Sequence, residues 1–326
     1  MELIGFWIFR PKTFTITLRV PKKKSKIQNK SELLAVRSLL GAIGALPFET
    51  SMRFGKAVGR FLAKKFPKLQ KTARRNLEIA FPEMSAAERE RIALGTFESL
   101  GRHLGFVSHF KKFKLETVRD LVEVVGKEHF DEAHAGGKGI LFFTGHFGSW
   151  EVFNLLPPAF GYGMKILVRR IDNPLVEGFV DKMRTRFGSV TLDKTKSARQ
   201  MFRALERGEL LGILADLNVQ EKEGVFVDFF GVPASTTTSI AKLALKTNAI
   251  VLPAFAVWEE SKNKYVVYLE PPIEYKPDDN SPENIRELTQ NITKTVEKYV
   301  RRYPEQWLWI HKRWNTRPKG EASLYK

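Results

Sequence analysis

The chain has 326 residues, enough for one large α/β domain or two domains of ordinary size. It contains no cysteine, which excludes disulfide bonds, a catalytic thiolate and cysteine-based metal sites. The net charge of +18 is concentrated near the N-terminus, because residues 1–75 hold 18 Lys and Arg but only three acidic residues. This uneven distribution predicts that the N-terminal part contacts an anionic surface.

Apolar side chains accompany the basic ones in the same region. Residues 3–9 are rich in Phe, Trp and Ile, and a mostly apolar run covers residues 33–48. Aromatic and aliphatic groups beside Lys and Arg are typical of an interfacial membrane contact, so we predict an anionic membrane surface as partner. A solvated basic arm beside an ordinary buried helix is the structural alternative. We expect no nucleic-acid partner, because no nucleic-acid-binding motif is recognisable.

Neither apolar run has the roughly 18–20 consecutive apolar residues that span a bilayer. The N-terminus also lacks the apolar core and the cleavage site of a secretory signal. We therefore expect a peripheral or monotopic protein on the cytoplasmic face of a membrane. Residues 1–30 would be the membrane-contact segment, residues 31–318 a single domain and residues 319–326 a tail.

The first third of the chain is predicted to be helical over residues 31–115, after a polar connector at 21–30. Phe54, Val58 and Phe61 follow helical spacing, which predicts an amphipathic helix over 51–66. Ser85 followed by Glu88 predicts a capping box at the start of a further helix.

The pattern then changes to short apolar segments that alternate with helical ones. The predicted strands are 121–125, 139–145, 165–170 and 210–216. The predicted helices between and after them are 127–135, 149–160, 174–187, 196–207 and 281–302. Two apolar segments on either side of 261–263 predict an antiparallel hairpin at one edge of the sheet. The predicted fold class is α/β, a mixed, mainly parallel sheet flanked by helices, with a helical N-terminal portion.

Three of the central strands run into polar side chains, namely His146, Arg169 and Asp216. Ligands of open α/β sheets bind outside the carboxyl ends of the strands, so we expect these three residues to converge. Arg169 could neutralise a substrate phosphate or a developing oxyanion, or form an ordinary ion pair with Asp172. Asp216 could bind a substrate sugar, position Arg169 or cap a turn.

The segment from Thr144 to Glu151 carries the clearest chemical pattern. His146 lies between glycines after a predicted strand, and Glu151 falls in the first turn of a predicted helix. A carboxylate can hydrogen-bond one imidazole nitrogen and leave the other as a general base. Such a base can take the proton of an acceptor hydroxyl while the oxygen attacks a thioester, so no enzyme nucleophile is needed. The H-x4-E spacing alone also fits a structural histidine.

Ser149 is a possible nucleophile, but FGSW lacks the G-x-S-x-G elbow, and we predict a helix N-cap there instead. His311 is assigned to packing or an interface. Four other histidines lack paired metal-ligand spacing and are assigned no role. They are His103, His109, His129 and His134. We expect neither a metal nor a cofactor.

The segment GHFGSWE resembles the H-x4-(D/E) signature of glycerolipid and lipid A acyltransferases. Three more segments follow in the order of that family. They are VRRIDNP at 168–174, VFVDFFGVPASTTT at 225–238 and PEQWLWIHKRW at 304–314. The blocks span residues 30–318, and the chain is identified as a member of the bacterial lipid A late acyltransferase family, within the lysophospholipid acyltransferase superfamily.

This resemblance implies that His146 is the general base and that Glu151 orients it. It implies transfer of a fatty acyl chain from acyl carrier protein, or from acyl-CoA, to a hydroxyl of a lipid A precursor at the inner membrane. Substrate contacts are expected along the second and third blocks and after the 210–216 strand. The residues are Arg169, Asp172, Asn173, Asp216, Phe230, Gly231, Ser235 and Thr236.

Ser235 and Thr236 precede a helix predicted at 238–247, whose N-terminus would suit a phosphate, although capping alone also explains them. Two alternative functions remain open. The chain could acylate another glycolipid or a lysophospholipid, or it could be a lipase-like hydrolase in which the His–Glu pair activates water.

Overall fold

A computed structural model describes residues 25–277 and 279–325, and the first 24 residues of the predicted membrane-contact segment lie outside this description. The predicted helical region is confirmed. Four helices cover most of it, namely α1 (Lys26–Ala45), α2 (Phe48–Lys65), α3 (Pro67–Ala80) and α4 (Ala86–Ser108), and α5 (Leu115–Leu121) follows at its end. The connector prediction is wrong beyond Ser25, because this side chain caps α1 in a capping box with Gln28. Ser85 caps α4, since its hydroxyl accepts the N–H of Glu88 at 3.2 Å.

Seven strands form the main sheet, in the order β1-β9-β8-β2-β5-β3-β4. They are β1 (Val122–Val125), β2 (Ile140–Thr144), β3 (Met164–Val168), β4 (Val190–Asp193), β5 (Leu210–Leu214), β8 (Ile250–Glu259) and β9 (Lys264–Leu269). The five strands from β8 to β4 run parallel to one another, so the predicted mainly parallel sheet is confirmed. The predicted hairpin is β8–β9, but it does not lie at the edge, because β1 pairs parallel with β9 outside it.

The helices that follow the strands agree with the prediction except in one place. They are α6 (Lys127–Ala135), α8 (Pro174–Arg184), α9 (Ala198–Glu206), α10 (Ser239–Thr247) and α11 (Pro282–Arg302). The single helix predicted over 149–160 is instead a 3₁₀ helix at Trp150–Asn154, followed by the short α7 at Leu156–Ala159. Pro157 and Pro158 explain the break, because proline has no N–H to donate to a preceding turn and restricts the residue before it.

A two-stranded hairpin covers most of the third block. Strands β6 (Gly224–Phe229) and β7 (Val232–Thr237) pair antiparallel. Phe230 and Gly231 form the two-residue turn, with φ of 58° and 75°, as the tightest hairpins require. Ser235 and Thr236 therefore lie within a strand, and α10 begins only at Ser239, so their predicted place at a helix start is wrong.

The core has two layers, one on each face of the sheet. Along β2, Leu141 and Phe143 belong to one apolar cluster, while Ile140 and Phe142 belong to the other. This alternation is what a strand produces when both of its faces are buried.

Helices α2 and α4 approach closely through glycines. A Cβ added at Gly59 would collide with the backbone oxygen of Phe97, and one added at Gly101 would collide with that of Gly55. These glycine contacts hold α4 directly against α2. Within residues 25–277 and 279–325, none of the helices combines the length and the apolar character that a bilayer crossing needs.

Candidate active site

The site begins where β2 and β5 end side by side. Thr144 is in register with Leu214, and the segments that follow the two strands then turn out of the sheet. The N–H of His146 donates to Asp216 Oδ2 at 2.7 Å, and His146 Nδ1 lies 2.8 Å from Asp216 Oδ1. Because the carboxylate can only accept, Nδ1 carries the proton and Nε2 remains as the basic nitrogen. The predicted convergence is confirmed for these two residues.

Asp216 is held by a third donor. Nε1 of Trp307 donates to Oδ2 at 2.8 Å. Burial alone would raise the pKa of Asp216, but the charge of the His146 ring and the hydrogen bonds from His146 and Trp307 outweigh it. The pKa therefore lies below its usual value, and the carboxylate is ionised at neutral pH. A Cβ at Gly145 would lie only 2.9 Å from Oδ2, which explains the glycine before the histidine.

Glu151 was expected to orient His146, but the hydrogen bonds of its carboxylate lead to other residues. Its buried carboxylate accepts from Nε of Arg184 on α8 at 3.1 Å, and also from the amide of Asn154. The 3₁₀ helix turns Glu151 toward α8, whereas Asp216 takes the position beside the imidazole. Burial would raise the pKa of Glu151, but Arg184 first, then His103 and Asn154, lower it below its usual value.

Ser149 does not cap a helix, because its side chain makes no capping bond. Its hydroxyl instead lies 3.0 Å from His103 Nδ1, and both residues are buried. His103 therefore belongs to the site, although no role was predicted for it. Its ring is stacked on Trp150, with ring centres 4.2 Å apart.

His311 also lies near the pair. Its Nε2 accepts the backbone N–H of Asn218 at 3.0 Å, and Asn218 exchanges two hydrogen bonds with Thr316. Burial first, then the charges of His146 and Arg313, lower the pKa of His311 to about 3, so the ring is neutral. The packing role predicted for His311 is thus a specific one, since it ties the closing segment to the loop after Asp216.

The second block is more exposed. Arg169 and Asp172 lie 3.8 Å apart as an exposed ion pair, which was the structural alternative for Arg169. Asn173 is buried and caps α8 by accepting from Leu175 and Val176, while its amide donates to Glu32 of α1. Asn173 therefore has a structural role. Substrate contacts of Arg169, Asp172 and Asn173 remain predictions.

The third block packs against α11 and the closing segment. The N–H of Phe230 donates to Glu297 of α11, and the guanidinium of Arg301 lies over the Phe230 ring, 4.3 Å from its centre. Ser235 and Thr236 are buried beneath Arg313, whose guanidinium donates to the Ser235 carbonyl at 2.9 Å. Contacts of Phe230, Gly231, Ser235 or Thr236 with a substrate remain predictions.

Sequence reasoning missed Trp307, Arg184 and His103 as members of the site. Each is 33 or more residues from its partner along the chain. A local motif could not have connected them. The tryptophan-rich closing segment was a signal, since a buried indole N–H needs an acceptor.

The Glu151–Arg184 pair yields a test of stability. Glu151→Gln should lower the free energy of unfolding at pH 7 by about 3 kcal/mol, because it removes one partner of a buried ion pair. The pKa of Glu151 is depressed, so its contribution is complete above the unfolded value of about 4.3 and is lost as the pH falls through the folded value. The difference from wild type, measured by urea unfolding, should therefore shrink below about pH 4.

Glu49→Gln is the matched control, since Glu49 pairs with Arg53 on the exposed face of α2. It should leave the unfolding curve unchanged. Equal stability of Glu151→Gln and wild type at pH 7 would contradict the importance assigned to the buried pair.

Comparison with known proteins agrees with the motifs. Residues 21–316 match the sequence model of the bacterial lipid A biosynthesis acyltransferases. The chain is 31% identical over 293 residues to the lipid A biosynthesis lauroyltransferase of Escherichia coli K12, covering 88% of this chain and 92% of that protein. It is 29% identical over 285 residues to the palmitoleoyltransferase of the same strain, covering 86% and 90%. It is 24% identical over 269 residues to the myristoyltransferase, covering 82% of each. The chain is therefore an O-acyltransferase and belongs to the bacterial lipid A biosynthesis acyltransferase family.

Proposed function

We propose that this protein transfers a fatty acyl chain from a thioester donor to a hydroxyl of a lipid A precursor, with His146 as general base. The observation that carries the proposal is the buried hydrogen bond of 2.8 Å between His146 Nδ1 and Asp216, at the carboxyl edge of the sheet. The acceptor class is supported by the names of three relatives, which act in lipid A biosynthesis.

Nε2 of His146 takes the proton of the acceptor hydroxyl as its oxygen attacks the thioester carbonyl. Asp216 stabilises the imidazolium that forms and holds its tautomer. The tetrahedral intermediate then expels the thiolate, which receives the proton from His146. One C–O bond forms and one C–S bond breaks, so the products are an ester and a thiol. This scheme assigns to Asp216 the orienting role that the motif suggested for Glu151.

The donor is proposed to be acyl carrier protein, with acyl-CoA as the alternative thioester. Both donors are anionic, and the chain carries a net charge of +18. Opposite charge favours encounter with such donors. Assays with both thioesters at equal acyl chain length would distinguish them.

The catalytic pair is tested by His146→Ala and Asp216→Asn. His146→Ala should reduce kcat by about 10² to 10⁴, the usual contribution of general base catalysis. Asp216→Asn should also reduce kcat, because an amide can donate to Nδ1 and reverse the tautomer. The double variant should be scarcely worse than His146→Ala, since residues that act as one unit give non-additive losses. Acyl transfer is measured by mass spectrometry of the lipid product, with thermal melting to verify folding.

His129→Ala is the matched control, because His129 lies on α6, outside the site. It should retain wild-type turnover. Near-normal acyl transfer by folded His146→Ala would refute the proposed mechanism.

An apolar pocket between the sheet and helices α6 and α7 is proposed to hold the end of the acyl chain. Its lining includes Phe130, Phe142, Phe153, Leu156, Phe160, Met164 and Leu210. Phe142 precedes His146 by four residues, so this part of the wall has its Cα within roughly 13 Å of that of the base at the strand rise per residue. The segment that follows the histidine motif also contributes Phe153, Leu156 and Phe160 to the wall. A wall of this kind would limit the length of the bound chain.

Phe160→Ala enlarges this pocket and should shift preference toward longer acyl chains. The measurement is competition between donors of different chain length, with the products quantified by mass spectrometry. Phe187→Ala is the control, because Phe187 is another partly buried phenylalanine beside an arginine but does not line the pocket. An unchanged product ratio in folded Phe160→Ala would place the acyl chain elsewhere.

Membrane contact is proposed for the exposed face of α1 and α2, on the cytoplasmic side of the inner membrane. Ile27 and Leu34 on α1 are 80% and 67% exposed, and Phe54 and Phe61 on α2 are 47% and 58% exposed. Each pair is seven residues apart and so lies on one face of its helix. Exposed basic residues flank the aromatic pair at 53, 60 and 64. Apolar groups ringed by cations suit an anionic bilayer surface.

The double variant Phe54→Ser/Phe61→Ser should bind anionic liposomes less tightly and be released at lower salt than wild type, since less apolar insertion remains and the charge attraction is screened. Wild type should stay bound at the same salt, because apolar insertion is not screened. Both should acylate a detergent-dispersed acceptor. Val125→Ser/Val190→Ser, two exposed valines on edge strands, is the control and should bind like wild type. Equal salt sensitivity of wild type and the aromatic double variant would refute this face as the contact.

A further inference from the structure

Three aromatic rings form a continuous row that ends at the proposed base. The His103 ring stacks on the Trp150 indole, with centres 4.2 Å apart and planes at 24°. The indole then meets the His146 ring edge-to-face, with centres 5.1 Å apart and planes at 63°. Trp150 is therefore in contact with an imidazole on two sides, and one of these is the base.

The far end of this row is rigid. His103 lies on α4, which the glycine contact locks against α2. Its Nδ1 is 3.0 Å from the hydroxyl of Ser149, and the His103 ring is buried. Burial lowers the pKa of His103 to about 4; the Glu151 carboxylate raises it by a smaller amount, and the charges of Arg184 and His146 lower it further. The ring is thus neutral at neutral pH, and it adds no positive charge that would oppose protonation of His146.

The near end of the row is restrained from the opposite direction. Asp216 holds both the backbone N–H and Nδ1 of His146. The backbone bond fixes the carboxylate, the Nδ1 bond fixes one edge of the ring against it, and the indole limits the ring's remaining movement. A base held on two sides keeps its Nε2 in a single orientation toward the reacting hydroxyl.

We propose that Trp150 and His103 are positioning residues for His146, acting as a stacked support that holds the base in its reactive orientation. The inference rests on the proposed function, because it concerns the orientation of the same base. Misplacement of a catalytic group by about 1 Å can reduce rate by about 10²-fold. The support should therefore affect turnover rather than substrate binding.

The experiment compares Trp150→Leu with Trp150→Phe in the full-length protein, each made in wild type and in the His146→Ala background. Trp150→Leu removes the flat ring and should lower kcat by about tenfold to a hundredfold, with KM within about twofold. Trp150→Phe keeps a stacking ring and should recover most of the loss. In the His146→Ala background, Trp150→Leu should cause no further loss, because there is no longer a base to position.

His103→Leu and Ser149→Ala should show the same kcat effect in weaker form, and they answer the question if Trp150→Leu fails to fold by thermal melting. Phe48→Leu is the matched control. Phe48 contacts the ring of His109 edge-to-face at 5.4 Å and should leave kcat unchanged.

Three results would overturn the inference. They are a normal kcat in folded Trp150→Leu, a raised KM with unchanged kcat, or an equal loss in the presence and absence of His146. The outcome for the proposed function is separate. If His146→Ala alone retains activity, the proposed base is wrong. If His146→Ala is inactive but Trp150→Leu is normal, only the support is wrong.

Discussion

The buried carboxylate of Asp216 joins three separate parts of the chain at one point. It accepts from the backbone and ring of His146 after β2, stands at the end of β5, and accepts from Trp307 in the closing segment. An ionised carboxylate out of water is tolerated only when donors surround it, and here three donors do so. The turn after β2, the loop after β5 and the closing segment are thus held to one geometry by a single group.

A second buried carboxylate lies nearby and performs a different task. Glu151 belongs to the same motif as His146, yet it pairs with Arg184 and so attaches the motif to α8. The environments of the two acids differ in their partners. Asp216 faces an imidazole that can gain and lose a proton, whereas Glu151 faces a guanidinium that stays charged. Only the first arrangement can respond to proton transfer, so the proposed chemistry involves Asp216, whereas Glu151 anchors the motif to α8.

The N-terminal helices contribute both to the site and to the exposed face proposed for membrane contact. The glycine contact between α2 and α4 brings His103 to Ser149 and Trp150, directly behind the base. The opposite face of α2 leaves Phe54 and Phe61 exposed beside basic residues. One pair of helices therefore links the face proposed for membrane contact with the residues proposed to support His146. Under these proposals, the arrangement keeps the base at a constant position relative to the membrane surface.

The sequence by itself determined the α/β class, the helical N-terminal portion, four of the sheet strands and the β8–β9 hairpin. These follow from local periodicity, which depends only on neighbouring residues. It also placed His146 and Asp216 at one edge of the sheet, because parallel strands end together. It did not decide which acid faces the imidazole. The H-x4-E spacing suggested Glu151, five residues away, whereas the partner is Asp216, 70 residues away. Two features of the tertiary structure decided this. Strands β2 and β5 are adjacent, which brings Asp216 to His146, and the 3₁₀ helix turns Glu151 toward Arg184. Likewise, the third block gave no strand signal strong enough to reveal β6 and β7, whose pairing is a contact between segments. Hydrogen-bond partners are chosen by proximity in space, and only the tertiary structure sets that proximity.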